Sequence, residues 1–265
     1  MPSEIMDRVS YDLADGVARI ELARPDAGNA LDLQMGEALR EAAGRVASAA
    51  EAGTARVAVL SAQGKMFCVG GDLREFAAAA DRGAYVSKTV DVLHEVLGII
   101  HGLSIPVVSV VHGTAAGGGL GVALSADIVL VASQAKLLLA FSAIGLTPDS
   151  STSWVLSRRL SWARIMDLLL TNRTLTGEEA EAWGLASRAV PLSELAAEAE
   201  SVVATVRRGA STTLGAAKRL VAEAASRPLA EQLAIERDTV VAATVSADGI
   251  EGIDAFLAKR PPVFG

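Results

Sequence analysis

The chain has 265 residues, of which 51% are hydrophobic, enough for one large domain, or a domain with an appendage, around a sizeable core. Its formal charge of −7 argues against nucleic acid as a partner. The single cysteine, Cys68, excludes an internal disulfide and suits a reducing, cytoplasmic setting, and the polar start MPSEIMDRVS is unlike a signal peptide.

In chain order, VARIEL (17–22) reads as a strand and LQMGEALREAAGRVASAAEA (33–52) as an alanine-rich helix. ARVAVLS (55–61) is a second strand, followed by a glycine-containing turn, FCVGGDLREF (67–76). Residues 96–126 carry no Asp, Glu, Lys or Arg, which is long enough to span a bilayer. The seven glycines, Pro106, three serines and two histidines in that stretch instead predict a buried strand at 106–111, a glycine turn and a buried helix running to about Ser125. His94 and His101 stand seven residues apart, about 10 Å along a helix, too far to share one metal ion, so no metal site is expected. DIVLVAS (127–133) is a fourth strand.

The stretch IGLTPDSSTSW (144–154) poses a choice. Pro148 marks a turn, and Asp149 with the hydroxyl residues after it reads locally as a helix N-cap. The same lone carboxylate could instead face a substrate. After Pro191 the strands stop, and helical stretches follow at 193–208, 212–225, 228–245 and 248–260, the last opening with Asp248 three residues before Glu251, a capping-box pattern. Strands alternating with helices predict an α/β core over residues 1–192, with a helical C-terminal region over 193–265.

Both glycine turns follow strands. Gly117, Gly118 and Gly119 sit where a helix should begin, so their free N–H groups favour negative charge, and the absence of side chains permits close approach. Neither a dinucleotide fingerprint nor a phosphate loop fits them.

The segments RPDAGNAL (24–31), FCVGGDL (67–73), IPVVSVVHGTAAGGGLGVALSADIVL (105–130), IGLTPD (144–149), LLLTNRTLTGEEAEAWGLASRAV (168–190) and EGIDAFLAKRPPVF (251–264) together resemble the crotonase superfamily, the enoyl-CoA hydratases and isomerases. The resemblance implies an acyl-CoA thioester substrate that carries its own coenzyme A, with no other cofactor. It implies a spiral of β-β-α turns with a C-terminal helical region that builds trimers, often paired into hexamers. It also implies an oxyanion hole from the backbone N–H groups of Gly71 and Gly118, where each preorganised donor contributes roughly 3–4 kcal/mol to a developing thioester oxyanion.

The departures narrow the chemistry. The two glutamates that hydratases of this family use align with Gly121 and Phe141, neither of which transfers protons, so ordinary hydration is disfavoured. Asp149 aligns with the catalytic aspartate of single-aspartate isomerases and with the nucleophile of 4-chlorobenzoyl-CoA dehalogenase. His94 aligns with that dehalogenase's water-activating histidine, but the match is weakly specific and a packed helix histidine at the pocket edge is the slightly preferred reading. Phe67, Phe141 and Trp154 are assigned to the pocket wall. Asp72, Leu73 and Arg74 at the first glycine turn, with Phe256 and Lys259 from a neighbouring subunit, are assigned to coenzyme A. The leading expectation is an enoyl-CoA isomerase using Asp149 as acid and base. The alternatives are dehalogenase-like hydrolysis and a non-catalytic acyl-CoA binder.

Overall fold

The computed structural model describes residues 4–265, with side chains from Asp7 onward. Two sheets organise the core. The larger is built from β1 (Glu4–Met6), β2 (Val9–Ala14), β3 (Val17–Leu22), β4 (Val57–Ala62), β6 (Val107–Val111), β8 (Ile128–Ala132) and β11 (Arg188–Val190), lying side by side in that order. β1 to β3 are antiparallel, and β3 onward runs parallel. The smaller sheet is ordered β10 (Leu175–Thr176), β9 (Lys136–Leu138), β7 (Thr114–Ala116), β5 (Met66–Cys68), with β5, β7 and β9 parallel and β10 antiparallel to β9.

Three successive turns of the chain each give one strand to each sheet and then a helix. β4 and β5 lead to α2 (Leu73–Ala78) and α3 (Arg82–Gly102), β6 and β7 to α4 (Gly118–Leu124), and β8 and β9 to α5 (Thr152–Arg159) and α6 (Trp162–Thr171). This is the β-β-α spiral expected from the resemblance. The central strands VAVLSA, VVSVV and IVLVA are nearly unbroken apolar runs, as a parallel sheet covered on both faces requires. α1 (Leu33–Glu51) covers the sheet with Met35, Leu39, Ala42, Ala43 and Val46, and its first turn is capped by Asp32, which accepts from Met35 N–H.

After α7 (Gly177–Trp183) and β11 the chain is helical: α8 (Leu192–Arg208), α9 (Ser211–Ala224), α10 (Leu229–Thr244) and α11 (Ala247–Leu257). α8 sends Leu195, Ala199, Val202 and Val203 into the main core. α9, α10 and α11 bury little, while Leu229, Leu233, Val240, Val241, Val245, Ile250 and Ile253 stand exposed.

Asp248 and Glu251 do not form a capping box. Ser246 caps α11 by accepting from Gly249 N–H, and Glu251 instead accepts from Arg260 (2.6 and 2.7 Å) and from Val263 N–H (2.8 Å), which ties the C-terminal tail back to the helix. The uncharged run at 96–126 resolves into the end of α3, β6, β7 and α4, and among the described residues no helix is long and apolar enough to cross a membrane.

Candidate active site

The first glycine turn is held by the segment RPDAGNAL. Asn29 is fully buried, and its amide donates to the carbonyls of Gln63 (2.9 Å), Met66 (2.9 Å) and Phe67 (3.1 Å), while its oxygen accepts from Arg24 N–H. Leu31 N–H donates to Gly70 O (2.8 Å) and Asp72 N–H to Leu31 O (2.9 Å). These two bonds straddle Gly71, whose own N–H has no acceptor among the described residues. The Arg24 guanidinium bridges Asp72 (2.7 Å) and Asp32 (3.0 Å). Asp72 in turn caps α2, accepting from Arg74 and Glu75 N–H. Burial pushes its carboxyl up, but Arg24 and the two backbone donors outweigh this and hold it below the usual carboxylate range. The Cys68 thiol, buried beneath the turn and donating to Asn29 O (3.1 Å), is raised by burial to about 12 and is not a nucleophile.

The second glycine turn enters α4 through Gly117, whose φ of 51° and ψ of −128° suit glycine alone. Gly118 is the first residue of α4, and its N–H, like that of Gly71, is free of acceptors among the described residues. Both glycines line one cavity of about 360 Å³. Its walls are largely aliphatic: Leu31, Leu73, Val86, Val90, Leu93, Ile144 and Leu146, with Phe76 and Phe141. Asp149 is the one ionisable side chain among the described residues that line it.

Asp149 is not a helix cap. α5 begins at Thr152, three residues later, because Ser150 and Ser151 both adopt left-handed φ (50° and 61°). Thr152 donates its N–H (3.0 Å) and its hydroxyl (2.7 Å) to the backbone carbonyl of Asp149, leaving the carboxylate to turn elsewhere. Its Oδ1 accepts from the Ser150 hydroxyl at 2.7 Å.

The residues singled out from the sequence divide accordingly. Gly71, Gly118, Leu73, Phe141 and Asp149 meet at the cavity. His94 does not: it lies on the exposed face of α3, next to Leu93, which lines the cavity. Phe67 is wholly buried in the core rather than in the pocket wall. Trp154 is outside the cavity lining and packs on the Arg158 guanidinium (3.8 Å) and on His101 (5.4 Å). Arg74, Phe256 and Lys259 are exposed and outside the cavity lining, and Asp72 acts through Arg24 and the cap of α2.

Sequence reasoning missed Ser150 and the aliphatic wall from α3. Gly121, one of the two positions aligned with hydratase glutamates, faces the loop that bears Asp149. A Cβ built there would collide with the Ser150 carbonyl oxygen and lie 2.8 Å from the Ser150 Cβ. The space a side chain at 121 would need is filled by residue 150.

Comparison with known proteins agrees with this architecture. The family model described as Enoyl-CoA hydratase/isomerase matches residues 12–265. The chain is 37% identical over 257 residues to a Rhodobacter capsulatus protein named as a probable enoyl-CoA hydratase, covering 97% of each. It is 34% identical over 265 residues to the 1,2-epoxyphenylacetyl-CoA isomerase of Escherichia coli, covering 98% of this chain and 99% of the relative. The crystal structure of an enoyl-CoA hydratase from Polaromonas sp. JS666 superposes with a TM-score of 0.90 at 30% identity, covering 97% of this chain and 99% of that one. The chain belongs to the enoyl-CoA hydratase/isomerase family of the crotonase superfamily, whose members act on acyl-CoA thioesters.

Proposed function

We propose that this protein shifts a double bond along the acyl chain of an enoyl-CoA, with Asp149 as the single acid and base. The observation that carries this reading is a cavity where Asp149 is the one ionisable side chain among the described lining residues, and which it shares with two glycines whose N–H groups have no acceptor among the described residues. With a 3-enoyl thioester, the Asp149 carboxylate takes a proton from C2. The electron pair moves into a dienolate whose charge rests on the thioester oxygen, held by the N–H groups of Gly71 and Gly118. The same carboxyl then returns the proton to C4, leaving the double bond between C2 and C3. Atoms and charge balance with one residue, because the carboxyl takes one proton at C2 and delivers one at C4, exchanging with solvent in between. Coenzyme A arrives with the substrate, and the scheme needs no other cofactor.

Hydration would need a second acid–base group, and neither Gly121 nor Phe141 supplies one. Dehalogenase-like hydrolysis would need a water activator besides the Asp149 nucleophile, and no second ionisable side chain is found among the described lining residues. The test is incubation of 3-enoyl-CoA with enzyme in deuterated water. Isomerisation with deuterium entering the acyl chain, abolished in Asp149→Asn, is the expected result. Turnover by Asp149→Asn equal to wild type would remove the aspartate from the mechanism. Binding of the thioester without turnover of any kind would favour a non-catalytic carrier.

We infer further that the chain assembles as a homotrimer or a pair of trimers. The exposed apolar residues of α10 and α11 support this. Phe256 and Lys259 would then meet the coenzyme A of a neighbouring subunit, while Arg74 meets that of its own. A cytoplasmic location fits the single buried, unpaired Cys68.

A further inference from the structure

We propose that Ser150 is the positioning residue that fixes the Asp149 carboxylate beside the oxyanion hole, an inference that rests on the isomerase reading of Asp149. The hydroxyl of Ser150 donates to Asp149 Oδ1 at 2.7 Å. Among the described residues, Asp149 accepts no other side-chain hydrogen bond, so Oδ2 is left for the substrate proton.

The bond joins neighbours in sequence, whose side chains point to opposite sides in an extended chain. Here Ser150 has a φ of 50°, and this left-handed turn brings its hydroxyl round to the carboxylate. Such a conformation costs a serine on the order of 1 kcal/mol and persists only where surroundings enforce it. The surroundings are the first turns of α4. Ser150 is 2% exposed, and its carbonyl and Cβ fill the hollow left by Gly121. Its Oγ lies 2.9 Å from where a Cβ on Gly118 would stand. One buried hydroxyl therefore bonds to the base on one side and occupies the space a side chain at Gly118, the residue of the second oxyanion donor, would need on the other. The absence of side chains at 118 and 121 leaves the room that this serine occupies.

A carboxylate on a loop has two rotatable bonds, and a proton transfer that must reach C2 and then C4 tolerates little wandering. Misplacement of a reacting group by 1 Å costs about 100-fold. Ser150 removes that freedom without touching the substrate proton itself, so its loss should lower kcat and leave thioester binding alone.

The test uses the full-length enzyme and four variants: Ser150→Gly, Ser150→Ala, Asp149→Asn and the double variant Asp149→Asn/Ser150→Gly. Glycine suits the left-handed φ and removes the hydroxyl without backbone strain, so it reports on the hydroxyl even if the alanine variant folds poorly. The expected result for Ser150→Gly is a fall in kcat of about 10- to 100-fold, with KM and the affinity for a saturated acyl-CoA within about twofold of wild type. In the Asp149→Asn background the same change should have no further effect on the residual rate, because the serine acts through the carboxylate. Full kcat in Ser150→Gly, with Asp149→Asn inactive, overturns this proposal and leaves the isomerase reading standing. An equal loss from Ser150→Gly in both backgrounds overturns it too. Full activity of Asp149→Asn brings down the isomerase reading itself.

Discussion

Gly121 decides more than its size suggests. A methyl group there would meet the Ser150 carbonyl and Cβ, and overpacking of this kind typically costs 1–3 kcal/mol. Gly121→Ala should lower the melting temperature by several degrees, at about 2–4 °C per kcal/mol for a chain somewhat smaller than this one. Gly121→Glu should not create a hydratase, since the glutamate has to displace the loop that holds Asp149. A melting curve and an assay of water addition to a 2-enoyl-CoA check both, and hydration by the Gly121→Glu variant would contradict the packing argument. The loop also shows where sequence reading stops at this scale. The cap signal around Asp149 is real in composition but misplaced, because two consecutive serines in left-handed conformation carry the helix start on to Thr152. Nothing in Ser-Ser announces positive φ, a conformation that favours Gly, Asn and Asp. Phe67 and Trp154 read as pocket residues because they are aromatics near the right motifs. Their strand and helix turn them into the core and towards Arg158 instead.

At the scale of elements, the parallel strands and long helices are legible because their periods are long enough to read. β5, β7, β9 and β10, at two or three residues each, are not. The hairpin between β2 and β3 does leave a signal in the sequence. Asp15 and Gly16 both have positive φ (51° and 76°) and join Ala14 to its partner Val17, the two-residue Asp-Gly turn. The true capping box is likewise elsewhere, at α7, where Thr176 and Glu179 exchange bonds of 3.1 and 2.9 Å. Thr176→Ala should cost about 1 kcal/mol in a chemical denaturation curve. A pH prediction belongs to α11. Hydrogen bonds from Arg260 and from Val263 N–H lower the Glu251 carboxyl to about 2, against an ordinary value of 4.5. A carboxyl lowered on folding stabilises its contacts fully above the ordinary value, and the stabilisation fades as pH falls towards the folded one. The tail should therefore be protected at pH 6 and become progressively exchange-competent and protease-sensitive between about pH 4.5 and 2. Glu251→Gln should show the loosened tail already at pH 6. Equal protection of the tail in wild type and Glu251→Gln at that pH would show that Glu251 does not hold it.

For the whole molecule, the question is what covers the C-terminal helices. Phe256 is 82% exposed, Leu257 73%, Leu229 73% and Val245 72%, while α8 just before them is packed into the core. Apolar residues gathered on one region, rather than scattered, mark a contact surface. The composition makes the helical region legible, but no single chain can say which surface meets which. We expect sedimentation at micromolar concentration to give the mass of three or six chains, and a stable monomer there would refute the assembly. The assembly has a sharper consequence if Phe256 serves a neighbour's coenzyme A. Phe256→Ala should raise KM for the thioester with kcat nearly unchanged, the mark of lost binding that does not change between ground and transition state. Asp149→Asn should lower kcat by roughly two to four decades. When the two variants are unfolded, mixed and refolded together, some sites combine an intact Asp149 from one chain with an intact Phe256 from the next. Those sites should recover low-KM turnover that neither parent has, in proportion to the mixing ratio. If the two residues serve the same chain's site, every site in the mixture keeps one defect, and the activity is only the weighted sum of the parents. That outcome would confine Phe256 to its own subunit and leave trimer formation to be judged by sedimentation alone.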